Sequence, residues 1–116
     1  MRILNSSQKT VIAQNASLAD TPLSRLQGLL GRKDFPTGEA LVITQCRSIH
    51  MMFMHFAIDV IFADKEKRVV GVVKDIRPFS LSPYFWRAFY AIELPVGTIA
   101  LSKTCVGDEL GFETRS

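Results

Sequence analysis

The clearest hydrophobic pattern in this chain is a spacing of two. Residues 58–63 read IDVIFA, with Ile58, Val60 and Phe62 on one face and Asp59, Ile61 and Ala63 on the other. β-Branched and aromatic residues in that alternation predict a strand. Both faces are apolar apart from Asp59, so an internal strand is expected, and its carboxyl group then needs a hydrogen-bonding or cationic partner. Together with the preceding run SIHMMFMHF, the pattern predicts one buried hairpin over residues 48–64.

Further strands are predicted over residues 9–14 (KTVIAQ), 39–44 (EALVIT), 68–76 (RVVGVVKDI), 88–94 and 109–113. Gly71, in the middle of its segment, marks a bulge or a close backbone approach. Residues 15–20 predict a loop, residues 98–104 are ambiguous, and residues 78–87 (PFSLSPYFWR) are irregular, with two prolines and four aromatics.

One segment follows a helical period instead. Leu23, Leu26, Leu29 and Leu30 share a stripe, Thr21 is a favoured N-cap, Pro22 suits the first helical position and Gly31 provides a stop. The resulting expectation is a mainly β fold: a small single-domain β sandwich or barrel, residues 1–116, of six or seven short strands with one short helix near residues 22–30.

Composition supports a globular domain, since 47% hydrophobic residues in 116 suffice for a real core. A net charge of +3 without any run of like charges gives no case for a nucleic-acid surface. The first 15 residues lack the apolar core of a secretory signal, and no segment reaches the roughly 18 apolar residues of a membrane span. The expectation is a soluble, cytoplasmic protein, monomeric or weakly dimeric. Cys46 and Cys105 are too few for a disulfide scaffold and read as reduced thiols.

The chemistry-bearing residues fall in three groups. Cys46, His50 and His55 lie within ten residues. Zinc requires three or four ligands, and the two histidines would face opposite ways on a regular strand, so neither a metal nor another cofactor is expected. Asp59 and Glu93 are carboxyl groups on otherwise apolar strands. They are either held in place by Arg25, Arg32 or backbone N–H groups, or paired for acid and base chemistry; Arg25 is the expected partner of Asp59, with His50 second. Met51, Met52 and Met54 are adaptable apolar residues that fill a core or line a groove. Trp86 stands in the aromatic segment with Phe79, Tyr84 and Phe85, which either closes over the fold or presents a surface to a partner.

Ser48-Ile49-His50, Phe53-Met54, Ile58-Asp59-Val60 and Phe62-Ala63-Asp64 resemble the central signature of the domain of unknown function 192 family. Arg25 with Gly28-Leu29-Leu30-Gly31-Arg32 upstream, and Glu93-Leu94-Pro95-Val96-Gly97-Thr98 followed by Gly107-Asp108 downstream, fit it in the same order. The resemblance implies a small β protein and brings no settled activity. Ala57 stands where the family usually has Pro, and His55 where it has Lys or Arg; a cation after Met54 would then depend on protonation of His55.

The expected function is a small binding module for an unidentified small molecule or protein. Its pocket or groove is expected to be bordered by the 48–64 hairpin and the 78–87 aromatic loop, with Arg25, Cys46, His50, Met54, His55, Asp59, Trp86 and Glu93 as candidate site residues. The competing expectation is a hydrolase-like enzyme using His50 with Asp59 or Glu93.

Overall fold

The computed structural model describes residues 1–21, 24–25 and 28–114. Its strands are β1 (Arg2–Asn5), β2 (Thr10–Ala13), β3 (Asn15–Ala19), β4 (Glu39–Thr44), β5 (Ile58–Ala63), β6 (Val69–Ile76), β7 (Tyr90–Pro95) and β8 (Leu110–Glu113), and a short helix, α1, spans Thr98–Ser102. They form a three-stranded sheet in the order β2-β1-β8 and a five-stranded sheet in the order β3-β4-β7-β5-β6. Every pairing is antiparallel except β3 with β4, which run parallel across the long connection between them.

Strand β5 explains the layering, because all six of its residues are buried. Ile61 and Ala63 join Val42, Ile92 and Leu94 in a core that the small sheet closes with Ile3, Ile12 and Leu110, and α1 with Ile99. Ile58, Val60 and Phe62 join Ile43 and Ala91 in a second core, closed by Leu29, Ile49, Met51 and Met54 from irregular chain. The large sheet is therefore covered on both faces, by a sheet on one and by loops on the other. Fully burying an aliphatic side chain contributes roughly 1.5 to 3 kcal/mol, against which the chain entropy lost in ordering the loops must be set.

The mainly β architecture and internal β5 match the sequence pattern, while three elements differ. The hairpin expected over residues 48–64 is not one element: β5 pairs with β6 and β7, and residues 48–57 are irregular. Phe53 takes a left-handed φ of 64°, and Met51 exchanges backbone hydrogen bonds with Phe79 and Ser80 instead of continuing a ladder. Among the described residues eight strands replace the expected six or seven, since β1 was not anticipated and residues 15–19, expected as loop, form β3. The ambiguous 98–104 segment holds α1.

The helix expected near residues 22–30 lies partly outside the described residues. Where it is described, Ser24 and Arg25 are helical. The Arg25 N–H donates to the Thr21 carbonyl at 2.9 Å, and Thr21 Oγ1 accepts from the Ser24 N–H at 3.1 Å, as an N-cap does.

Asp59 is satisfied by backbone and not by Arg25. Its Oδ1 accepts from the Asp75 N–H at 2.9 Å, and its Oδ2 from the N–H groups of Gly97 (3.1 Å) and Ile99 (3.0 Å). The donors come from irregularities on both sides of β5. A register shift in β6 between the partners of Ile58 and Val60 accommodates Asp75 at φ 53°, and the β7–α1 turn presents Gly97 and Ile99. Arg25 instead donates to the Asp20 carbonyl at 3.0 Å, and Arg32 pairs with Glu39 at 3.3 Å.

A second buried polar cluster fastens the small sheet. Asn5, fully buried, donates to Asp108 at 3.0 Å and to Thr104 at 3.1 Å, and the Cys105 N–H also reaches Asp108, at 2.9 Å. Burial pushes the Asp108 carboxyl up, but the bonds from Asn5, Cys105 and Gln8 outweigh it and hold the group below its ordinary value.

Candidate functional site

A pocket of about 350 Å³ opens on the loop-covered face of the large sheet. Strand β7 supplies its most unusual group. Glu93 lies opposite Leu41 of β4 and Val60 of β5, so its side chain shares the face of the second core and points away from the small sheet. It is only 6% exposed, and among the described residues its Oε1 has no hydrogen-bond partner. Burial pushes the carboxyl up to about 7, since an ionised group cannot recover its lost hydration there.

The remaining wall comes from two segments. Leu29 and Leu30 with Arg25 and Gly28 form one side, from the β3–β4 connection. Ile43 and the chain just after β4, including Cys46, Ser48, Ile49, His50 and Met54, form the other. The Cys46 Sγ donates to the Ser48 carbonyl at 3.1 Å. Burial pushes this thiol up and Glu93 pushes it further, against smaller lowering effects of the Ser48 bond and Arg25. A thiol held protonated in this way is a poor nucleophile. The imidazole Nδ1 of exposed His50 accepts from the Met52 N–H at 3.3 Å, which fixes the ring's orientation.

Residues 45–54 carry this wall although they form no regular strand, because the aromatic segment backs them. Cys46 N–H donates to the Phe89 carbonyl, Phe85 N–H to Arg47, Ser82 N–H to Ile49 and Met51 N–H to Ser80. Isolated pairing of His50 with Leu81 continues the same alignment. Phe85 anchors the segment by stacking on Phe62 with centroids 4.5 Å apart. A Cβ at Gly71 would overlap that Phe85 ring, which accounts for glycine in the middle of β6.

Of the eight candidate residues, the fold brings together Arg25, Cys46, His50, Met54 and Glu93 around one pocket. Asp59 is not among them: it faces the opposite core and is engaged by backbone, which separates it from His50 and from Glu93. His55 and Trp86 are exposed outside the pocket. The aromatic loop supports the pocket wall from behind and does not border the opening, contrary to the sequence expectation. Leu29 and Ile43 are site residues that sequence reasoning assigned only to packing, and nothing in an apolar period distinguishes a pocket wall from a core. Among the described residues no three His, Cys, Asp or Glu side chains converge as metal ligands would.

The fold and site define a class: a two-sheet β protein with a small, mostly apolar pocket around one buried acidic group. The chain belongs to the DUF192 family of uncharacterised proteins, described as Uncharacterized ACR, whose model matches residues 3–112. It is 33% identical over 115 residues to a UPF0127 protein of Thermococcus sibiricus, covering 96% of this chain and 74% of that one. It is 35% identical over 118 residues to a UPF0127 protein of Pyrococcus abyssi, covering 97% of each. A crystal structure of a protein of unknown function from Novosphingobium aromaticivorans shares the fold with a TM-score of 0.81 at 19% identity, over 96% of this chain and 82% of that one.

Proposed function

We propose that this protein is a small-molecule binding module whose ligand enters the Glu93 pocket. The observation that carries the reading is the Glu93 carboxyl: a buried polar oxygen without a partner among the described residues, on the wall of an otherwise mostly apolar pocket. An unpaired buried polar group costs the fold about 1 to 3 kcal/mol, and a ligand that satisfies it recovers that cost on binding. The volume of about 350 Å³ falls at the small end of ligand sites, which span roughly 300 to 1,000 Å³. The protonated Cys46 thiol and the separation of Asp59 from His50 weigh against hydrolysis through those groups and leave His50 with Glu93 as the pair such a reading would need. Two free cysteines suit the cytoplasmic setting included in this reading, and among the described residues no helix is long and apolar enough to cross a membrane.

The test is methyl-detected NMR of the protein against a set of small aliphatic amines, acids, alcohols and amides. Saturable shifts centred on the Leu29, Ile43, Ile49 and Met54 methyls, abolished when Leu29→Trp fills the pocket, are expected. Shifts absent from these methyls for every compound would contradict the reading.

A second reading takes a protein as the partner. It is favoured by the exposure of Phe53, Phe79, Leu81, Tyr84 and Trp86, of which Phe53 and Phe79 meet edge to face at 6.0 Å. Its site is the outer side of the aromatic loop, remote in function from the pocket that the inner side supports.

A further inference from the structure

The pocket carries a carboxyl group and a guanidinium that, among the described residues, form no ion pair with each other. Glu93 lies in its wall, its Oε1 without a hydrogen-bond partner among the described residues. Arg25 lines the same pocket, its guanidinium donates to the Asp20 carbonyl, and among the described residues it forms no ion pair. Both act on the Cys46 thiol, in opposite senses, so Cys46 lies within electrostatic reach of each. Leu29, Ile43 and Met54 supply apolar surface in the same pocket.

We infer that the pocket takes a small amphoteric molecule, with a protonated amine against the Glu93 carboxylate, a carboxylate toward the Arg25 guanidinium, and a short aliphatic body between them. This rests on the reading of the pocket as a binding site. An amine places a cation where the carboxylate lacks a counter-charge, and in a low-dielectric wall that attraction is stronger than in water. A ligand carboxylate matches the planar fork of Arg25, which remains available for a charge-assisted bond. A simple anion meets Glu93 once that group ionises, and a simple amine leaves Arg25 without an anion. An aliphatic alcohol satisfies one oxygen and neither charge. Only a molecule bearing both groups satisfies both walls.

The experiment uses the full chain, methyl labelled, at about pH 8, where Glu93 is mostly ionised. The probes are L-leucine and 5-aminopentanoate, which space their charges differently, with isoamylamine, isovalerate and isoamyl alcohol as partial versions. At least one amphoteric probe is expected to shift the Leu29, Ile43 and Met54 methyls with a Kd tenfold or more below those of the partial probes. Glu93→Gln, which keeps the shape, should raise that Kd tenfold or more. Arg25→Gln should raise it to the level of isoamylamine while leaving the isoamylamine Kd within twofold. Isovalerate or isoamyl alcohol binding at these methyls as tightly as the amphoteric probes would overturn the ligand class and leave the pocket reading standing. Methyls unmoved by all five probes would overturn the ligand class as well, and the broader compound set then decides the pocket reading separately. Retention of the dispersed methyl spectrum shows that each variant has folded. Should Glu93→Gln fail that check, the Arg25→Gln comparison decides alone.

Discussion

Asp59 and Glu93 stand on neighbouring strands one register step apart, Asp59 opposite Leu94 and Val60 opposite Glu93, so their carboxyl groups point to opposite faces of the large sheet. The two acids consequently have different fates. Asp59 meets three backbone N–H groups on the side of the small sheet, and Glu93 meets a pocket on the other side. A carboxyl pair acting on one substrate is excluded by that geometry.

Asp59→Ala removes the acceptor for the N–H groups of Asp75, Gly97 and Ile99 at once. Each buried donor left without a partner costs about 1 to 3 kcal/mol, so the variant should lose about 3 kcal/mol or more. Urea unfolding measures this. A loss below about 1 kcal/mol would show that water replaces the carboxyl group easily.

Gly71→Ala should destabilise by about 1 to 3 kcal/mol, the usual cost of overpacking, because the added methyl enters the Phe85 ring. Phe85→Ala alone should cost about 3 kcal/mol or more from the lost contact with Phe62. In the double variant the two losses should not add, since the smaller side chain makes room for the methyl. Additive losses would mean that the backbone conformation of Gly71, and not the ring, dictates the glycine.

Much of this was legible in the residues, for reasons that also explain the misses. Residues 39–44 and 58–63 are short apolar runs rich in β-branched residues, and β4 and β5 fall on those bounds. Residues 15–19, NASLA, mix polar and small apolar positions, so β3 looks like loop until β4 offers it a parallel partner. The run MMFMHF is apolar enough for a strand, yet it is a loop: Met51 and Met54 turn into the core while Met52 and Phe53 turn out. Glu93 was visible as an acid on an apolar strand. Its isolation was not, because whether a partner reaches it depends on tertiary contacts that no local pattern encodes. The same applies to Asp59, whose donors come from a bulge and a turn far away in sequence.

The stability of the protein should fall as pH rises between about 5 and 8. Burial moves the Glu93 carboxyl from 4.5 to about 7, so between those values the unfolded chain holds fewer protons than the native one, and unfolding becomes easier with increasing pH. The contribution of the protonated group is complete below about pH 4.5 and lost as the pH passes about 7. It amounts to about 3 kcal/mol at about 1.36 kcal/mol per pKa unit. Asp108, held low, acts on the acid side of this window, and Cys46, pushed above 9.0, acts on the alkaline side. Urea unfolding at about pH 5 and about pH 8 should show the fall in the parent and its absence in Glu93→Gln. Equal slopes in the two proteins would assign the dependence to other groups.

Trp86, the single tryptophan of the chain, is 67% exposed with Arg87 over its ring at 4.9 Å. Its fluorescence should be quenched by acrylamide at a rate close to that of free tryptophan, and occupation of the pocket should leave it unchanged. Strong protection would place the aromatic loop against another surface, as a second copy or a partner would provide.

The most direct measurement is a carbon-detected NMR titration of the Glu93 carboxyl, without and with a saturating pocket ligand. The account predicts a midpoint of about 7 in the free protein, and a lower one when a ligand cation occupies the pocket, because the added charge favours the ionised form. A free-protein midpoint near the ordinary 4.5 would contradict the account, since it would mean that the carboxyl is already solvated or paired and has nothing to gain from a ligand.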